Sequence, residues 1–211
     1  MLKQSFHRQL RVYKYVVYKE TLVDFKDQLW SFIGAFVGIG IIAYIQSLSL
    51  PALENVFLIG SFGASSVLVY GAVFSPLAQP RNLVGGHVVS AFVGVLVAKI
   101  FPDIIWLSAP LAVAFSIVAM QFTRTLHPPG GATALIAVSS GTKISSLGFT
   151  YVLSPVLSGS LILLIVALVF NNITKNRHYP VKRSRFRRSR RAELRTRFIK
   201  NKNIKSTSLE S

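Results

Sequence analysis

Hydrophobic residues in this chain come in long blocks rather than in alternating faces. The first block, WSFIGAFVGIGIIAYIQSLSL (30–50), carries no charge over a length that crosses a bilayer. After Pro51 comes ALENVFLIGSFGASSVLVYGAVF (52–74), also long enough to cross. Glu54 and the run Gly60-Ser61-Phe62-Gly63 weaken it as one continuous helix. The loop SPLAQPRN (75–82) precedes LVGGHVVSAFVGVLVAKIF (83–101), which Pro102-Asp103 ends. IIWLSAPLAVAFSIVAMQF (104–122) follows, with Pro110 as a candidate kink. Residues 131–138 are apolar but far below the roughly 20 residues a crossing needs. A polar break, SSGTKISS, leads to the oiliest block, LGFTYVLSPVLSGSLILLIVALVF (147–170).

This pattern predicts an all-α membrane protein, a small polytopic helical bundle. The broken blocks leave two topologies open: four full spans plus two broken or half-helix segments, or six spans. GASSVLV (63–69) matches GATALIA (131–137) small residue for small residue, at an offset of 68. Each is flanked by apolar spans, which suggests an internal repeat of span, broken segment, span. Interrupted segments at corresponding places in two halves point to a transport site between them.

Charge then orients the bundle. The chain of 211 residues carries 24 Lys and Arg against 7 Asp and Glu, a formal +17. Six of the cations precede residue 27 and fourteen lie from Lys175 onward, leaving Arg81, Lys99, Arg124 and Lys143 between. That polarisation matches the positive-inside bias and places both termini in the cytoplasm of a multi-pass protein of the cell (inner) membrane. The segments divide accordingly into a 1–29 N-terminal arm, a 30–170 membrane domain and a 171–211 basic tail. Phe6, Leu10, Tyr13 and Val17 recur at helical spacing in the arm, as in an interfacial helix. The basic ends suit anionic lipid better than nucleic acid, so the bilayer is the expected partner. A basic stretch of almost thirty residues before the first block argues against a cleavable signal peptide. Gly34, Gly38 and Gly94 form small-residue faces that permit a homo-oligomer.

The chemistry concentrates in RTLHPPGGATALIAV (124–138). Pro128 and Pro129 force extended backbone on their predecessors and stop the incoming helix by about His127. Gly130 and Gly131 let the chain turn sharply, and a new helix begins near Ala132 with unpaired N–H groups. Those groups and the helix dipole favour an anion, with Arg124 as a charged fork, His127 as a titratable donor and Thr133 as a hydroxyl. Gly63, Ala64 and Ser65 are the corresponding start of a second half-helix. Arg81 and His87 complete the candidate set, His87 because an ionisable residue inside a span is a functional candidate by default. Plainer readings stand beside these: Arg124 snorkels to headgroups, His127 caps a helix, and Gly85-Gly86 serve close packing. Tyr70 and Gln79 are weaker candidates.

Catalysis finds little support, because Glu54 and Asp103 are isolated and no serine stands beside a plausible base. Two histidines forty residues apart, without a nearby acid or cysteine, make a poor metal site, and no cofactor is expected. A small inorganic anion is the expected ligand; the alternative is a membrane scaffold whose basic tail recruits a cytoplasmic partner or anionic lipid.

RTLHPPGGATALIAV, with FGAS, SPLAQPRN and GGH in order between 60 and 95, resembles the HPP family of integral membrane proteins. That family takes its name from the triplet at His127, Pro128 and Pro129, and the resemblance covers about residues 30 to 170. It implies a small multi-span bundle. Some members carry C-terminal cystathionine-β-synthase-type domains; a basic tail follows the last span here, so regulation through such domains is not expected. Chloroplast and cyanobacterial members are associated with nitrite transport, which makes nitrite the first substrate the resemblance suggests.

Overall fold

The computed structural model describes residues 25–181, apart from 103 and 141. The N-terminal arm's candidate interfacial helix and the arginine-rich run at 182–197 lie outside them. Helix α1 (Phe25–Ser47) leads to α2 (Ala52–Ser66), which continues through a π turn at Val67–Gly71. A 3-10 turn at Pro76–Ala78 precedes α3 (Pro80–Ile100) and α4 (Ile105–Thr123). The short α5 (Pro129–Ser139) and α6 (Thr142–Leu147) follow, and a π segment at Val152–Leu157 runs into α7 (Ser158–Phe170). Among the described residues five helical runs are long and apolar enough to cross a membrane: 25–47, 52–71, 80–100, 105–123 and 152–170. The sixth run is α5, whose 11 residues rise only about 16 Å, half the hydrocarbon core.

Contacts fix the direction of each run. Asp27 at the start of α1 pairs with Arg177 beyond α7, and Ser31 donates to the carbonyl of Tyr70, so these ends share one face, the near face. Arg81 and Asn82 at the start of α3 donate to the carbonyls of Thr123 and Leu126, so α4 returns to the same face. From there α5 descends beside α3. A Cβ at Gly86 would meet His127, and one at Gly94 would meet Ala134 and Ala137. Successive runs therefore alternate, with α5 and the non-helical residues before it making the fifth pass.

Two expectations change here. The block at 52–74 is not broken at Gly60–Gly63; α2 continues through both glycines, which permit a break without imposing one. Gly63, Ala64 and Ser65 thus lie within a helix and not at the start of one. The glycine faces of Gly34, Gly38 and Gly94 are also spent inside the chain. Gly34 and Gly38 seat the ring of Tyr70 and Gly94 seats α5, leaving none of them free for a second copy. Gly159 does the same for Phe62.

Close packing of α3 on α5 holds the half-helix in place. A methyl at Gly86 would stand 2.4 Å from the Cβ of His127 and 2.8 Å from the Thr125 carbonyl oxygen. Overpacking of this kind costs about 1–3 kcal/mol. Gly86→Ala is expected to lower the thermal unfolding midpoint of the detergent-purified protein by several degrees, whereas Gly63→Ala, with nothing within 4 Å of the new methyl, leaves it unchanged or raises it slightly.

Candidate functional site

Helix α4 ends in a left-handed residue. Arg124 has φ 57°, and the N–H of Thr125 returns to the Met120 carbonyl at 2.8 Å, closing a Schellman-type cap. The αL conformation is costly for a residue with a Cβ, and here it turns the chain back into the bundle. Thr125 seats against Gly85 and His127 against Gly86, so this glycine pair serves close approach.

The prolines do not act as their spacing suggests. Pro128 is itself helical, at φ −51° and ψ −40°, rather than extended, and α5 begins at Pro129 rather than Ala132. The Gly130 N–H donates to the His127 carbonyl at 2.8 Å and the Gly131 N–H to the Pro128 carbonyl at 3.1 Å. With two prolines lacking N–H groups and two glycines already bonded, the start of α5 offers no free amide cradle, which corrects the expected anion site there. Gly130 is a packing residue, its Cα facing Ser90 Oγ, the Gly86 carbonyl and Met120 Sδ, while Gly131 and Ala132 are only half-buried. Arg124 is exposed at the helix end and Arg81 is spent on the Thr123 carbonyl, so neither guanidinium joins the buried site. Ala64 faces outward.

What does converge is a chain of four side chains. His87 and His127 are both fully buried, their rings 5.1 Å apart, with Phe62 packed 5.1 Å from His87. His87 Nδ1 lies 2.7 Å from Thr133 Oγ1, and His87 Nε2 lies 2.7 Å from Ser65 Oγ. Ser65 Oγ is 2.9 Å from His127 Nε2, and His127 Nδ1 is 2.9 Å from the Leu77 carbonyl oxygen. A carbonyl only accepts, so His127 carries its hydrogen on Nδ1. With both rings neutral, one arrangement then satisfies every member. Ser65 donates to His127 Nε2, His87 donates from Nε2 to Ser65, and Thr133 donates to His87 Nδ1. The Ser61 carbonyl, 3.1 Å from Ser65 Oγ, is the longer competitor for the serine proton.

Ser65 and Thr133 stand at equivalent places in the two matched stretches, 68 residues apart. They grip opposite nitrogens of the same ring from helices that run antiparallel, as an inverted repeat requires.

Three contributors carried little sequence signal: Leu77 acts through its backbone, Tyr151 donates to the Thr133 carbonyl, and a polar strap covers the near face. In the strap Asn171 and Asn172 bond Val69 and Tyr179, Tyr179 Oη donates to the Ala78 carbonyl at 2.8 Å, and the Val181 N–H reaches Gln79 Oε1. Burial pushes the Tyr179 phenol well above its ordinary value, which keeps it a donor. Gln79, in turn, donates to the carbonyls of Val73 and Ser75. The first residues of the basic tail are therefore packed against the bundle, because Arg177 is buried and finds Asp27 Oδ1 at 3.0 Å along with the Tyr70 carbonyl and Ser31.

A sequence model of the HPP transmembrane region matches residues 20–180. The chain belongs to the HPP transmembrane family. Two relatives from Dictyostelium discoideum, each described as a transmembrane protein, are 47% and 45% identical over 161 residues. Those alignments cover 75% of this chain but only 51% and 56% of the relatives, so the chain spans about half their length. No solved structure matches. The HPP protein is thus a multi-pass membrane protein, and its name-giving triplet starts with the residue that ends the buried chain.

Removing one partner from a buried ion pair leaves the other uncompensated. Arg177→Ala in this HPP protein is expected to cost on the order of 3 kcal/mol, read as a lower unfolding midpoint in detergent. Pairing it with Asp27→Asn should recover part of that loss, and a double-mutant cycle with no coupling would contradict the assigned pair.

Proposed function

We propose that this HPP protein carries a small, singly charged anion across a membrane of the cell, with nitrite the first substrate to test and both ends of the described bundle in the cytoplasm. The observation that carries the reading is the buried pair His87 and His127. Ionisable side chains are expensive at membrane depth, and a bundle that shields two of them from lipid and gives each nitrogen a partner retains them for function. Beyond the pair, on the far face, lies a cavity of about 570 Å³. Lys99 lines it together with Ser108, Ser139, Ser140, Thr142 and Ser145, a cation and hydroxyls that suit an anion's entry. Its wall includes Ala137, one helical turn along α5 from Thr133. The family resemblance supplies nitrite, and the cationic ends supply the orientation.

In liposomes reconstituted with the full chain, nitrite entry is expected to exceed that of empty liposomes. His127→Ala should reduce it by about tenfold or more, and Arg124→Ala, at an exposed position, should stay within about twofold of wild type. Wild-type entry no faster than empty liposomes would rule out nitrite, and equal loss in both variants would return the site to Arg124.

A further inference from the structure

The hydrogen bonds from Thr133 to Leu77 share one direction, and that direction has a consequence. Each of Thr133, His87, Ser65 and His127 can release one hydrogen forward while taking one from behind. A proton reaching Thr133 Oγ1 from water or from an acid displaces the hydroxyl hydrogen onto His87 Nδ1. The His87 Nε2 hydrogen passes to Ser65 Oγ, the Ser65 hydrogen passes to His127 Nε2, and the His127 Nδ1 hydrogen leaves. One proton enters, one departs, and no covalent bond between heavy atoms changes. Among the described residues, those that hydrogen-bond or stack on the pair are Phe62, Ser65, Leu77 and Thr133, with Tyr151 reached through the Thr133 carbonyl, and none of these carries a charge that would trap the proton.

The last step is blocked in this structure. His127 Nδ1–H points at the Leu77 carbonyl, which accepts a hydrogen bond but cannot pass a proton on. Leu77 sits in the Pro76–Ala78 turn. The strap grips the turn's neighbouring groups, Tyr179 Oη on the Ala78 carbonyl and the Val181 N–H on Gln79, and Arg177 anchors the strap to α1. We propose that Thr133, His87, Ser65 and His127 form a proton relay, and that the Leu77 carbonyl plugs it on the near face until the 171–181 strap releases the turn. The relay does not rest on nitrite being the substrate. It gives the transport site a proton pathway and gives the strap, from which the basic tail continues, a regulatory position.

The test uses the full chain in liposomes loaded with a pH-sensitive dye, with proton entry driven by a potassium diffusion potential and no nitrite present. Tyr179→Phe removes the bond to the Ala78 carbonyl, and proton entry is expected to rise about threefold to tenfold over wild type, the population shift that one lost hydrogen bond gives. Adding His127→Asn or, separately, Ser65→Ala to Tyr179→Phe should return entry to the level of empty liposomes. Each variant is first matched to wild type by circular dichroism and elution volume; the two cuts lie on different segments, α2 and the stretch before α5, so either folded double variant decides the result. Proton entry in a folded double variant equal to that of Tyr179→Phe alone would overturn the relay, and Tyr179→Phe indistinguishable from wild type would overturn the plug. Because nitrite is absent, a failed nitrite assay leaves this result standing.

Discussion

A neutral imidazole buried at the centre of an apolar bundle has two ring nitrogens, and each needs a protein partner because burial takes it out of bulk solvent. His87 places this demand on the rest of the structure. An unpaired buried polar group costs about 1–3 kcal/mol, and two histidines in contact raise the stakes further. The bundle meets the demand from both sides: α2 delivers Ser65 to one nitrogen and α5 delivers Thr133 to the other. His127 then completes the serine's hydrogen bonding and passes the direction of the chain to a backbone carbonyl.

The surrounding architecture follows from bringing those groups close. Gly86 and Gly130 let α3 and the turn before α5 approach until side chain meets backbone, and Gly94 continues the contact toward the far face. The half-length of α5 has the same origin. The residues missing from a full span are spent on the Arg124 turn and the non-helical stretch that carries His127 into the interior of the bundle. The strap then fixes the Pro76–Ala78 turn from above, so the buried chain is coupled through short hydrogen bonds to the polar segment at the near face.

Much of this was legible in the chain itself. Long apolar blocks mark the spans, and the breakers at 124–131 mark the short helix, because breakers at membrane depth survive only inside protein. His87, His127, Ser65 and Thr133 are all candidates in the sequence, Thr133 from the 124–138 motif and Ser65 from the 68-residue repeat. Other features were hidden for physical reasons. The matched small residues made α2 look broken, but small residues permit a break without imposing one. A helix start normally leaves N–H groups free, yet here the turn at His127 and Pro128 takes those of Gly130 and Gly131. Arg124 drew attention by charge, while the group that terminates the site, the Leu77 carbonyl, has no side-chain signature at all.

Hydrogen bonding through the two rings runs in one direction, and nitrogen NMR of the histidine-labelled protein in lipid reads that direction. The two buried rings should appear as neutral imidazoles of opposite tautomer, His127 protonated on Nδ1 and His87 on Nε2, with assignments from His87→Asn and His127→Asn. Finding both rings in the same tautomer would contradict the directed chain and with it the relay.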